Sequence, residues 1–280
     1  ALTRTLEAAY ERIDTDDAFR LLVDTVGAGR DDARLEALIL KLHEKMQSHP
    51  DPARWAEQQR SALYAEGVTD AGDTVWGQYL LEQTARDAGY WADVMDRLLA
   101  LMSQPEYGYI GEKYAGSIAQ TADGLRDFSR AAGQSWDAAA ARADIPFPRL
   151  GSLREPPDAD VVETVKARRD ACKKACGKFK TEFSEPSEKV LSDLRKTAPA
   201  MDALLSLTLE FDKAYAADKR RRGLVDYSDL EHFAARLLSD ADGAPTPLAR
   251  ELSQRYTEIM VDEYQDVNQV QELIFRCVSK

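Results

Sequence analysis

Apolar residues recur at steps of three and four along most of this 280-residue chain, and that spacing is what most limits its fold. Leu35, Leu38, Ile39, Leu42 and Met46 follow it, as do Trp91, Val94, Met95, Leu98, Leu101 and Met102. A stripe at that period lies along one side of an α-helix and has to be buried against other helices. Only the run from Tyr256 to Val261 reads as a strand. The expectation is a mainly α fold with one strand near its C-terminal end.

The breaks between periodic segments carry their own chemistry. Gly27-Ala28-Gly29 ends one helix, and Asp31 or Asp32 is placed to cap the next. Ser48-His49-Pro50-Asp51-Pro52 is a turn or linker. The prolines between Ile145 and Pro157 predict an extended connector, since each biases its predecessor away from helix. Beyond it, Val162, Val165, Cys172, Cys176, Phe179 and Phe183 form one seam, interrupted by Arg169. Val190, Leu194, Met201, Leu204, Phe211 and Tyr215 form a second, with Pro199 as a kink or restart. Two such seams across a short break predict an antiparallel helix hairpin. Ser228-Asp229-Leu230-Glu231 has the form of a capping box, Thr246-Pro247 can open a helix, and Asn268 can cap a last one.

The net charge of −12 argues against a general nucleic-acid clamp, because binding phosphates needs clustered Lys and Arg. Two local basic runs stand out against it. Lys166, Arg168, Arg169, Lys173, Lys174, Lys178 and Lys180 flank the first seam, and Lys219-Arg220-Arg221-Arg222 follows the second. Each reads either as a solvated helix face or as a contact with DNA phosphates, with Lys166, Arg169, Lys173 and Lys180 the candidates for the contact. Cys172, Cys176 and Cys277 are too few and too scattered for a disulfide framework. They fit reduced thiols and a cytoplasmic location. Cys172 and Cys176 read as core, as do the tryptophans Trp55, Trp76, Trp91 and Trp136, at a core or an interface. No run reaches the ~20 apolar residues needed to span a bilayer. Ala1 to Tyr10 is polar, unlike a secretion signal, and the missing initiator Met leads to the expectation of an internal piece of a longer protein.

Chemistry concentrates at Ile259-Met260-Val261-Asp262-Glu263-Tyr264-Gln265-Asp266-Val267-Asn268. An apolar run ends abruptly in two adjacent carboxylates, and a helix follows. Asp262 is a hard oxygen donor suited to Mg2+ beside nucleotide phosphates. Glu263 is placed to orient and deprotonate an attacking water. The string resembles the Walker B motif of UvrD/Rep-like superfamily 1 helicases, differing by Val267 where Thr is usual and Tyr264 where Phe is common. Asp226-Tyr227-Ser228-Asp229-Leu230 resembles the Asp-Phe-x-Asp-Leu segment that precedes Walker B in that family. Val26 to Asp32, Leu35 to Leu42, Ser48 to Pro52 and Trp55 resemble the 1B insertion of AddA-type (RexA-type) helicase–nuclease subunits.

The resemblance implies a helical 1B-type insertion domain at 1–222 and, at 223–280, a piece of the RecA-like α/β motor domain with one strand ending in Walker B. It implies Glu263 as catalytic base, Asp262 as metal ligand, and Gln265 and Asp266 as residues coupling the ATP site to DNA. Asp226 and Asp229 would support the motor core. The whole protein would be an ATP-dependent DNA helicase with a nuclease domain, using Mg2+ and ATP and working with an AddB-like subunit in double-strand break repair. No Gly-x-x-x-x-Gly-Lys-Ser/Thr loop occurs, so this chain alone is expected to be inactive and to bind neither cofactor. Two alternatives stand beside this reading. One is a simpler UvrD/Rep-type helicase without a nuclease. The other is a non-enzymatic helical adaptor whose acidic string is incidental.

Overall fold

The computed structural model describes residues 1–26, 32–63, 67–154 and 156–279. In chain order its helices are α1 (Leu2–Glu11), α2 (Asp17–Val26), α3 (Ala33–Gln47), α4 (Pro52–Leu63), α5 (Val75–Met102) and α6 (Gly108–Ala132). They continue with α7 (Trp136–Ala140), α8 (Ala159–Glu182), α9 (Ser187–Arg222), α10 (Tyr227–Leu238), α11 (Pro247–Ser253) and α12 (Gln269–Val278). The mainly α expectation holds. The strand does not: residues 256–261 adopt no strand, and the β pairing among the described residues is one isolated bridge between Ser239 and Pro245. A strand needs a neighbour for its N–H and C=O groups, and no described residue lies beside this run as one. Met260 is accordingly 88% exposed.

Packing divides the chain into two compact units, residues 65–194 and residues 1–64 with 195–280. In the first, α5 and α6 lie along one another. Their apolar stripes supply Met95, Ile110, Tyr114, Ile118, Leu125 and Phe128 to one core, and α8 adds Val165, Cys172, Cys176 and Phe179. Phe128 stacks on Phe179 with centroids 4.7 Å apart. Each such side chain contributes about 1.5–3 kcal/mol by leaving water. Gly77 is required near the start of α5, because a Cβ there would fall 1.9 Å from the Ala71 carbonyl. Residues 145–153 form no helix, as their prolines predict.

The second unit has two cores. Leu6, Phe19, Leu22, Leu35 and Ile39 of α1–α3 pack on Ala200, Leu204, Leu207 and Phe211 of α9. Ala235, Leu238, Ala249, Val270, Leu273 and Cys277 join α10, α11 and α12. The α8 seam packs in the α5–α6 core together with the start of α9, through Val190, Leu191 and Leu194, while α9 from Ala200 onward packs on α1–α3. Matching periods show that both helices are amphipathic and do not name their partners. Helix α9 runs through Pro199 without restarting.

Both sides of the expected boundary at 222/223 lie in the second unit. Hydrogen bonds tie α3 and the turn after it to the C-terminal helices. His49 Nδ1 pairs with Gln269 Oε1 at 2.8 Å, His232 Nε2 with the Gln47 carbonyl at 3.1 Å, and Ser228 Oγ donates to Gln47 Oε1 at 3.3 Å. The cap expected from Asp31 or Asp32 falls at the edge of the described residues. Asp31 lies outside them. Asp32 precedes α3 but makes no side-chain cap, and accepts from Tyr10 Oη instead.

Candidate functional site

Helix α9 ends in a turn that only glycine adopts without strain. Gly223 has φ +64°, its N–H donates to the Arg220 carbonyl, and Leu224 N donates to the Lys219 carbonyl. The chain then enters α10 through a capping box, placed two residues earlier than expected. Asp226 accepts from Asp229 N at 2.9 Å, and Asp229 accepts from Asp226 N at 3.0 Å. The helix thus starts at Tyr227. Ser228 and Glu231 are left inside it with side chains free for other partners.

Both capping aspartates also hold one lysine. Lys219 Nζ lies 2.8 Å from Asp226 and 2.7 Å from Asp229, with the Tyr215 ring centroid 4.5 Å away. Burial alone lowers the Lys219 ammonium, but its bonds to the two carboxylates outweigh this and hold it above the ordinary lysine value. Burial likewise raises Asp226, while the Lys219 bond and the Asp229 amide more than offset it and leave the carboxyl below its usual range. The clamp uses one residue from the basic run 219–222, so Lys219 faces carboxylates rather than solvent.

The acidic string lies between α11 and α12. Asp262 accepts from the Glu263 amide at 2.9 Å. Glu263 has φ 49° and ψ 44°, the one non-glycine residue among those described in the left-handed region. That conformation costs a Cβ-bearing residue roughly 1–2 kcal/mol. A short 3-10 turn, Tyr264–Asp266, follows. Gln265 donates its amide to the Glu263 carboxylate, bringing together two residues named separately from the sequence. Tyr264 Oη donates to Glu272, and that bond raises its pKa. Asp262, Glu263, Gln265 and Asp266 are all exposed. Asn268 then caps α12 in a second reciprocal box with Gln271.

Among the described residues no three His, Cys, Asp or Glu side chains are grouped to hold a metal ion. Mg2+ takes one or two carboxylates and completes its shell with water and phosphate, so the exposed carboxylate of Asp262 suits it as a donor. No described helix is long and apolar enough to cross a membrane.

The basic residues of α8 separate in the structure. Arg169 is buried, donates to the Pro148 carbonyl and lies 5.4 Å from the Phe147 ring centroid, so it is not presented to solvent. Its place in the seam is the reason, and it leaves the candidate phosphate-contact set. Lys180 sits 3.2 Å from Asp144, Lys166 sits 3.7 Å from Glu163, and Lys173 is exposed. Cys172 and Cys176 are buried core, with sulfurs 3.8 Å apart. Trp136 is buried, and Trp76 packs edge-on against it at the surface. The residues that the sequence reading missed are Lys219, Glu231 and Gln47. Lys219 stood in the sequence as one of a basic run, and nothing in its spacing marks it as a clamp.

The family model described as the UvrD/REP helicase N-terminal domain matches residues 4–280. Among curated proteins, the chain is 32% identical over 287 residues to an ATP-dependent helicase/nuclease subunit of Ruminiclostridium cellulolyticum, covering 100% of this chain and 23% of that protein. It is 34% identical over 306 residues to the protein of the same name in Heliobacterium modesticaldum, covering 100% of this chain and 22% of that one. With the Acetivibrio thermocellus counterpart the identity is 31% over 290 residues, again 100% of the chain and 23% of the relative. The chain thus spans less than a quarter of the length of these relatives.

Proposed function

Because this chain belongs to the UvrD/REP helicase family through its N-terminal domain, we propose that it is part of an ATP-dependent DNA helicase–nuclease of the AddA type. Residues 1–222 are its 1B-type insertion, and 223–280 belong to the motor domain. The observation that carries this reading is the acidic string itself. Asp262 and Glu263 follow an apolar run, and Glu263 is lodged in a conformation that side chains rarely adopt. Such backbone strain clusters at functional sites.

Asp262 is the residue to hold Mg2+, which supplies charge neutralisation at the nucleotide phosphates when bound. Glu263 accepts the proton of the attacking water. Gln265, through its bond to Glu263, and Asp266 link this site to the DNA-gripping surface. Asp226 and Asp229 support the motor core by fixing α10. Lys166, Lys173 and Lys180 contact DNA phosphates. The whole protein unwinds DNA in double-strand break repair, in the cytoplasm, with an AddB-like partner. The helicase–nuclease reading is preferred to a simpler repair helicase because relatives named for both helicase and nuclease align along the whole chain. Membership of the family disfavours the helical adaptor.

In the complete protein, Glu263→Gln should leave ATP binding largely intact and lower steady-state turnover by about 100-fold or more, since the amide cannot take the proton. Asp262→Asn should also weaken Mg2+-dependent nucleotide binding. Near-normal ATPase in either variant would overturn the assignment. The 280 residues alone should not hydrolyse ATP, lacking a phosphate loop.

A further inference from the structure

We propose that Glu231 is a positioning residue for the acidic string, holding the cap of α12 on α10 so that Asp262 and Glu263 keep their place. Its carboxylate accepts from two side-chain amides at once. Gln271 Nε2 donates to Oε1 at 2.7 Å, and Asn268 Nδ2 donates to Oε2 at 3.2 Å. The oxygens of the same two amides are already used. Asn268 Oδ1 accepts from Gln271 N at 2.8 Å, and Gln271 Oε1 accepts from Asn268 N at 3.2 Å. Each amide therefore spends its oxygen on the cap and its NH2 on Glu231. A carboxylate is the one side chain that offers two acceptors and no donor to meet them.

The cap of α12 is complete without Glu231, because both of its bonds lie between Asn268 and Gln271. What Glu231 adds is a tie to α10. That helix is itself anchored by the Lys219 clamp at its first turn and by His232 on the Gln47 carbonyl. One 3-10 turn, Tyr264–Asp266, separates Glu263 from the capping Asn268, and Asp266 N and Val267 N bond back across it to the Glu263 and Tyr264 carbonyls. Displacing Asn268 thus displaces Glu263. Glu231, next to the Asp226–Leu230 segment singled out in the sequence, thus ties it to the end of the Asp262–Asn268 string.

The inference rests on the hydrolytic reading of Asp262 and Glu263, and its tests keep the two apart. In the complete protein, Glu231→Ala should lower kcat for ATP hydrolysis by roughly 10–100-fold, the usual effect of losing a group that orients a reacting one. KM for ATP should stay within about twofold, because Glu231 touches no nucleotide-binding group. Glu231→Gln should also be impaired, since its NH2 faces an amide NH2. The exchange Glu231→Gln with Gln271→Glu restores every donor–acceptor pair, with the polarity reversed only at the 231–271 bond, and should recover kcat to within a few-fold. Unchanged kcat in both single variants, or a loss that the exchange does not restore, would overturn the proposal. In the 280-residue chain, Glu231→Ala should speed amide exchange at 262–272 by about tenfold with the far-UV spectrum unchanged. Unaltered exchange there would also overturn it. Normal turnover in Glu263→Gln would instead sink the hydrolytic reading, leaving the exchange measurement to decide the placement.

Discussion

The α5–α6–α8 core and the segment from Gly223 to Val278 differ in what they bury. In the first, Tyr114, Ile118, Leu125 and Phe128 are at most 2% exposed. In the second, Tyr227, Leu230, Leu237 and Met260 are more than half exposed, although the same segment holds the acidic string. The comparison teaches that packing and chemistry are carried by different parts of the chain. The region that completes its own core shows no recognisable motif, and the region with the motif leaves an apolar face open.

The largest consequence is in stability. Phe128→Ala should cost about 3–5 kcal/mol, as for a large aromatic removed from a close-packed core. Tyr227→Ala, an aromatic change of the same kind, should cost no more than about 0.5 kcal/mol because its site is already solvated. Chemical denaturation of the two variants checks this, and equal losses would erase the distinction between the regions.

A smaller effect should come from the clamp at the start of α10. Lys219→Met removes the cation facing Asp226 and Asp229, at a cost of about 1–2 kcal/mol once solvent screening of the partly exposed carboxylates is allowed for. The pH dependence follows from the shifts. Asp226 is depressed in the fold, so its contribution is present above the ordinary carboxylate value near 4 and lost as pH falls through its folded value. Lys219 is raised, so its contribution is present below the ordinary lysine value near 10.4 and lost as pH rises through its folded value. The gap in melting temperature between wild type and Lys219→Met should be constant between about pH 5 and 9 and shrink below about pH 4. A gap that grows toward acid would contradict the clamp.

The smallest effect on stability should be at the α8 surface. Lys166, Lys173 and Lys180 replaced together by Glu should change stability by about 0.5 kcal/mol or less. If they contact phosphates, the chain should bind duplex DNA at low salt, weaken steeply as salt rises, and lose that binding in the triple variant. No binding at low salt, or equal binding by the variant, would favour the solvated-face reading.

How far the sequence disclosed this arrangement depends on how local each feature is. The stripes of α3 and α5, the Asn268 cap and the Thr246-Pro247 helix start were legible, because each depends on residues within a turn or two. The α10 cap was legible in kind but misplaced, since Asp226 and Ser228 both suit an N-cap and only the three-dimensional structure chooses. The partners of the α8 and α9 seams are not legible, because an apolar seam states that a partner exists without naming it. Arg169 reads as a surface cation until the connector at Phe147 and Pro148 is folded over it. For the site, Asp262 and Glu263 were legible as a string. Glu231 and Gln47 act across long sequence separations, and Lys219 reaches back over the Gly223 turn, which no local pattern displays.

The central claim is that residues 256–261, strand-forming by sequence, adopt no strand because no described residue pairs with their N–H and C=O groups. Hydrogen–deuterium exchange at the amides of Thr257 to Val261, compared with those of Leu125 to Phe128 within α6, tests it directly. The account predicts exchange at Thr257 to Val261 at least about 100-fold faster than at Leu125 to Phe128, whose amides are bonded within a buried helix. Equally slow exchange at both would contradict it.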